Sequence, residues 1–150
     1  DWVLVFVGKN ISGNDFLSIL NSSPKRGLIF DRGPVEYNKI SSIYKAADVF
    51  ILPSRYDGWG SVLSEAASAG MPLIATSGCG ASKHLIDSGS NGYIVASESY
   101  ESIKFALNKY VNNDEIIEKH SRRSLEISKR FSSKASTVVF EKHIEDLKIY

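Results

Sequence analysis

Apolar residues come along this chain in short runs separated by polar, glycine-containing stretches, and helical spacing is sustained only in the last third. Trp2–Val7 (WVLVFV) is a β-prone run stopped by Gly8 and predicts a buried strand. Lys9–Ser23 is polar, with Phe16, Leu17, Ile19 and Leu20 clustered, and predicts a short helix after Asn14-Asp15. Pro24–Gly27 predicts a turn, Leu28–Phe30 a second strand, and Asp31–Val35 a loop. Ile40, Ile43, Tyr44 and Ala47 have helical spacing, so Lys39–Ala46 predicts an amphipathic helix. Val49–Leu52 is an apolar run ending at Pro53, the signature of a strand covered on both faces. A helix is expected over Ser61–Ala69 with Gly70 as its stop, then a strand at Leu73–Ala75 and a glycine-containing loop from Thr76 to Ser82. A short helix over Ser82–Ser88, a turn at Gly89–Gly92 and a strand at Tyr93–Val95 complete the alternation.

From Glu98 onward three helices are predicted. Ile103, Leu107, Tyr110 and Val111 mark the first; Ile116, Ile117, Leu125 and Ile127 the second; Val138, Val139, Ile144, Leu147 and Ile149 the third. Strands alternating with helices predict an α/β, doubly wound parallel sheet with a helical tail packed against it. Residues 1–97 form the sheet-bearing part and 98–150 the tail of the same domain.

Composition narrows the function classes. At 150 residues the chain is one domain's worth, and its 43% apolar and 23% charged residues are ordinary for a globular protein. A formal net charge of +1 gives no reason to expect nucleic acid as a partner. A single cysteine, Cys79, rules out an intrachain disulfide framework and suits a reducing compartment. No stretch approaches the roughly 20 apolar residues of a membrane span, and no signal-peptide pattern opens the chain. Because it opens on Asp1 and runs at once into a strand, the chain reads as an excised piece.

The stretch that carries chemistry is Ala47–Glu65 (ADVFILPSRYDGWGSVLSE). A strand, a loop holding Gly58 and Gly60, and a helix start with Ser61 as candidate N-cap make an anion site, because free N–H groups and the positive end of the helix dipole face the loop. Two carboxylates flank it, Asp57 and Glu65. They would repel a bare phosphate but suit a ligand that also offers hydroxyl donors, so the combination describes a nucleotide sugar. The bland alternative is an ordinary Asp-Gly turn followed by a glutamate that complements the helix dipole.

Pro53-Ser54, Asp57-Gly58-Trp59-Gly60, Glu65-Ala66-Ala67, Gly70, Pro72 and Cys79-Gly80-Ala81 together resemble the signature of the family-4, group 1 glycosyltransferases of GT-B type, over about Val3–Phe140. These are retaining enzymes using nucleotide-diphospho-sugars. The family usually has glutamate at both acidic positions; here the first is Asp57, which reaches less far. The resemblance implies that the chain is the C-terminal, Rossmann-like donor-binding half of such an enzyme. It also implies that Trp2–Val7 corresponds to the family's second strand, leaving a gap at the sheet centre where the strand order reverses. The chain either closes that gap by pairing its own strands or lacks residues present in the working protein.

By the same resemblance Glu65 takes the ribose hydroxyls and Asp57 the hydroxyls of the transferred sugar; these two are the catalytic pair. Gly58, Trp59, Gly60, Ser61 and Val62 bind the donor largely through backbone N–H groups. The Trp59 ring packing in the core beneath the loop is an equal alternative for the side chain. Gly33, Pro34 and Val35 would meet the base, or form a ligand-free turn. Arg55 and Lys83 are candidate phosphate partners, against the usual fate of solvated surface cations. Cys79 reads as a buried or idle thiol. His84, His120 and His143 lack metal-ligand spacing and read as structural or exposed. No metal or other cofactor is expected.

The function so implied is transfer of a hexose from a UDP- or GDP-sugar to a glycan or lipid-linked acceptor in polysaccharide biosynthesis. The acceptor would be held mainly by an N-terminal domain that this chain lacks, so the chain alone would be inactive. The implied location is cytoplasmic, and the basic residues Arg122, Arg123, Lys129 and Arg130 allow either a solvated helix face or contact with the inner face of a membrane. Two rivals remain open: a nucleotide-sugar 2-epimerase on the same architecture, and a non-catalytic nucleotide-sugar binding module.

Overall fold

The computed structural model describes residues 2–9 and 14–147, without the side chains of 14, 15, 133, 136, 139, 140, 143, 146 and 147. The chain forms two compact units, residues 1–43 and 44–150.

In the first unit β1 (Leu4–Phe6) pairs in parallel with β2 (Ile29–Asp31), with Leu4 opposite Ile29 and Phe6 opposite Asp31. A parallel pair needs a crossover, supplied here by α1 (Asn14–Ser22) and a 3-10 turn at Arg26–Leu28. Phe16 of α1 meets Phe6 edge-on, with ring centroids 5.0 Å apart, and Leu20 is buried. The expectation of a buried first strand needs correction. Trp2, Val3, Leu4, Val5 and Val7 are 38% to 55% exposed. The run has the β-branched and aromatic composition that favours a strand, but β1 has a single ladder partner and its outer positions are uncovered.

Helix α2 (Tyr37–Lys45) leads to the second unit, whose sheet runs β3 (Phe50–Leu52), β4 (Leu73–Thr76), β5 (Gly92–Val95), all parallel, in spatial order 3-4-5. Central β4 is buried at every position. Its side chains alternate between two apolar clusters, as a period of two requires. Leu73 and Ala75 join Leu63, Ala66 and Ala67 of α3 (Ser61–Ser68), together with Leu85 of α4 (Ser82–Leu85) and Ile127 of α6 (Asp114–Ser128). Ile74 joins Ala106 of α5 (Tyr100–Asn108) and Tyr110 on the other face. Helices therefore cover both faces, the doubly wound arrangement expected.

The tail begins with two capped helices: Ser99 Oγ accepts from Ser102 N at 3.2 Å, and Asn113 Oδ1 from Ile116 N at 3.2 Å. Asn91, fully buried, ties α6 to the turn before β5. Its Nδ2 donates to Leu85 O at 2.8 Å and to Ser124 Oγ at 3.1 Å, while Oδ1 accepts from Asp87 N at 2.8 Å. His120, also buried, sits between Gly89 O (3.1 Å from Nε2) and the Tyr110 hydroxyl (2.9 Å from Nδ1). A 3-10 turn (Lys129–Phe131) and α7 (Ser133–Leu147) follow. Ile149 and the side chains of Val139, His143 and Leu147 lie outside the described residues. No described helix is long and apolar enough to cross a membrane.

Candidate functional site

Neighbouring parallel strands end on the same side of a sheet, so the loops after β3 and β4 emerge together at its carboxyl edge, where such sheets bind ligands. Backbone bonds join these loops. Asp57 N donates to Gly78 O at 3.0 Å, Gly80 N to Asp57 O at 3.0 Å, and Ala81 N to Trp59 O at 2.8 Å. The Thr76 hydroxyl donates to Ser54 O. The approach is so close that a Cβ at position 80 would lie 2.2 Å from Gly58 O. The 55–60 loop is therefore backed along its length by the 77–81 loop.

That backing sets the start of α3. Gly60, with φ +82°, is the cap residue, and Ser61 is the first helical position rather than the N-cap expected from its hydroxyl. The reason is steric: the chain enters the helix through a left-handed residue that only glycine adopts at little cost, and a Cβ there would meet Cys79 Sγ at 2.4 Å. Cys79 is buried under the loop, as expected of an idle thiol, with Sγ 3.2 Å from Trp59 O. The far end of α3 closes as predicted: Gly70 N bonds Ala67 O and Met71 N bonds Ala66 O, both at 3.0 Å, a Schellman stop.

The amides of Gly58, Gly60, Ser61 and Val62 have no protein acceptor among the described residues and lie at the positive end of α3. The Trp59 amide differs from expectation, because it donates to Asp57 Oδ1 at 3.2 Å. Asp57 thus braces its own loop through one carboxylate oxygen, leaving Oδ2 and the second lone pair of Oδ1 for a ligand's hydroxyls. The Trp59 ring is not in the core either. It is 47% exposed and stacks on His84, with centroids 5.7 Å apart and 28° between planes.

Glu65 stands one turn into α3, on its exposed side. Its Oε2 accepts a hydrogen bond from the Tyr44 hydroxyl at 3.0 Å. Tyr44 lies half-buried in the last turn of α2, edge-on to Phe50 with centroids 5.9 Å apart. Burial, and then the Glu65 carboxylate, push its phenol pKa far up, so the hydroxyl remains a donor throughout the neutral range.

Residues 1–130 match the family described as "Glycosyl transferases group 1". The chain belongs to that family. It is similar to the C-terminal domain of the group 1 glycosyl transferase LpcC from Francisella tularensis (26% identical, TM-score 0.74, covering 85% of this chain and 68% of that one). It is also similar to the lipopolysaccharide glucosyltransferase WaaG of Escherichia coli (strain K12), 32% identical over 72 residues, or 48% of this chain and 19% of that protein. The HepE structure from Anabaena in complex with UDP shares the fold at TM-score 0.79 and 18% identity, over 99% of this chain and 41% of that one. The group 1 transferase fold seen here is thus the C-terminal part of the GT-B architecture. The chain spans 32% and 30% of the first two curated relatives it matches.

Other candidate residues of this group 1 chain fall as follows. Arg55 is paired with Glu98 at 2.8 Å, both side chains exposed, so its charge is already directed elsewhere. Lys83 is exposed beside His84 and has no ion pair among the described residues. Gly33, Pro34 and Val35 form a turn in the first unit; Gly33 N donates to Asp31 Oδ1 at 2.9 Å and Gly33 O accepts from Gly8 N at 2.9 Å. Its loop amide is therefore spent on the turn itself. The described residues include no cluster of three metal-ligating side chains. Tyr44 is the site residue that sequence reasoning missed. Its helical spacing assigned it to the apolar face of α2, and spacing says nothing about where a phenol's hydroxyl ends.

Proposed function

We propose that this chain is the donor-binding half of a retaining glycosyltransferase that moves a hexose from a UDP- or GDP-sugar to a glycan or lipid-linked acceptor. The observation that carries the reading is the row of unpartnered amides at Gly58, Gly60, Ser61 and Val62, with the Glu65 carboxylate one turn beyond them. The amides and the helix dipole take the diphosphate, whose negative charge grows as the sugar–phosphate bond breaks. Glu65 accepts from the ribose hydroxyls, a contact whose loss costs about 1–3 kcal/mol. Asp57, through the oxygen that Trp59 leaves free, accepts from a hydroxyl of the sugar. The UDP held by a protein of the same fold, and the glucosyltransferase named among the relatives, support this donor class.

The acceptor falls to an N-terminal domain outside this chain. No metal is obligatory in this reading, because the amides carry the leaving group's charge. The setting is cytoplasmic. Lys129 and Arg130, beside the exposed Phe131, form the part of the tail available to an anionic membrane, since Arg122 pairs with Glu118 and Arg123 with Asp87 and Glu126. Vesicle co-sedimentation that falls with salt supports that contact, and none at low salt removes it.

The deciding experiment is calorimetry of UDP, GDP, ADP and their sugars against the intact protein, with Gly60→Ala alongside. One nucleoside diphosphate should bind tightly and Gly60→Ala should bind it at least tenfold more weakly, about 1.4 kcal/mol. Undiminished binding by the variant defeats the reading. The isolated chain should bind nucleotide weakly and transfer no sugar.

A further inference from the structure

An exposed glutamate near a ligand site ordinarily samples many rotamers, and ordering it on binding weakens the ligand. Glu65 is not free in that way. The Tyr44 hydroxyl holds its Oε2 at 3.0 Å, and the Tyr44 ring is itself fixed edge-on against Phe50 of β3 at the rim of the apolar cluster that contains Leu63 of α3. The sheet and α3 thus set the phenol from below, and the phenol sets the carboxylate. A phenol O–H occupies one lone pair of Oε2, leaving Oε1 and the second lone pair of Oε2 open. Two oxygens of one fixed carboxylate, each with a lone pair still open, match the two donors of a vicinal diol.

We propose that Tyr44 is the positioning residue for Glu65, and that the pair selects ribonucleoside diphosphates, with an intact 2′,3′-diol, over 2′-deoxy forms. This rests on the reading of Glu65 as the acceptor of ribose hydroxyls. The phenol's suppressed ionisation fits the role, since a phenolate beside a carboxylate would repel it.

The test is calorimetric, on the intact protein, with UDP and 2′-deoxy-UDP, or GDP and 2′-deoxy-GDP if guanine nucleotide binds more tightly. Wild type, Tyr44→Phe and Glu65→Ala are compared after their circular dichroism and melting temperatures are matched. Wild type should favour the ribose form by about tenfold, the ratio expected of one hydrogen bond to a charged group. Tyr44→Phe should weaken the ribose form most of that way, leave the deoxy form within twofold, and so erase the preference. If Tyr44→Phe keeps the full preference while Glu65→Ala loses it, the role of Tyr44 falls and that of Glu65 stands. If Tyr44→Phe weakens both forms equally, its contribution is packing and the proposal is overturned. A preference that survives Glu65→Ala instead overturns the assignment of Glu65.

Discussion

The start of α3 allows one perturbation to be worked through. Gly60→Ala forces a Cβ onto a residue at φ +82°, which costs about 1–2 kcal/mol for an L-residue in the left-handed region. The new Cβ also lies 2.4 Å from Cys79 Sγ and 3.2 Å from Leu52 Cδ2, an overpacking typically worth about 1–3 kcal/mol. The two contributions together predict about 2–5 kcal/mol lost from the local stability of the β3–α3 connection. They are separable, because only the second depends on the sulfur. Cys79→Ala alone should cost about 1 kcal/mol as a small buried deletion. In Gly60→Ala/Cys79→Ala the contact with the sulfur is gone, leaving the backbone contribution and the looser contact with Leu52 Cδ2, so the double variant should be about 1–3 kcal/mol less damaged than the sum of the singles. Hydrogen–deuterium exchange of peptides covering residues 52–69 in the intact protein reads that local stability directly. Additive damage in the double variant would refute the steric account, and a Gly60→Ala cost under about 0.5 kcal/mol would refute the left-handed cap itself.

Other outcomes follow from contacts already described. Asn91→Ala leaves the buried Leu85 carbonyl without its partner, at about 1–3 kcal/mol, loses the part-buried bond from the Asp87 amide as well, and should lower the urea midpoint clearly. His120 has its pKa lowered mainly by burial, so its folded state resists protonation. The stability it contributes is present above the unfolded value near 6.5 and is lost as pH falls through the lowered folded value; His120→Gln should flatten melting temperature against pH in that acid window. Cys79, 1% exposed, should resist iodoacetamide in the native protein and react fully in urea, and rapid native labelling would contradict its place under the loop. On the proposed reading, in which backbone amides rather than a metal carry the diphosphate, any sugar transfer by the intact protein should survive EDTA.

The alternation of strands and helices was legible because each apolar run is short and bounded by glycine, proline or polar residues. All five expected strands exist, and the helix at Ser61 begins where expected. The glycine stop at Gly70 was legible for the same local reason, a left-handed residue after an apolar helix. What escaped were properties set by distant neighbours. The exposure of β1 depends on what covers it, which the composition of WVLVFV does not encode. The cap at α3 looked like Ser61 because hydroxyls cap helices, yet the 77–81 loop beneath it made Gly60 the cap. Trp59 sent its amide to Asp57 and its ring to His84, and neither partner can be read from spacing. Tyr44 and Glu65 are 21 positions apart, so their bond belongs to the tertiary fold alone.

The buried amide of Asn91 has a practical bearing on where this protein can be cut. A truncation at residue 97, where strands give way to helices, would remove Ser124 from the Asn91 side chain and Tyr110, His120 and Ile127 from around β4 and β5. The sheet face that carries Ile74 would then be open to water, and the face under α3 and α4 would lose Ile127. Expression boundaries, chimeras with related enzymes and split-protein designs should therefore keep the segment through Ser128 with the strands it seals.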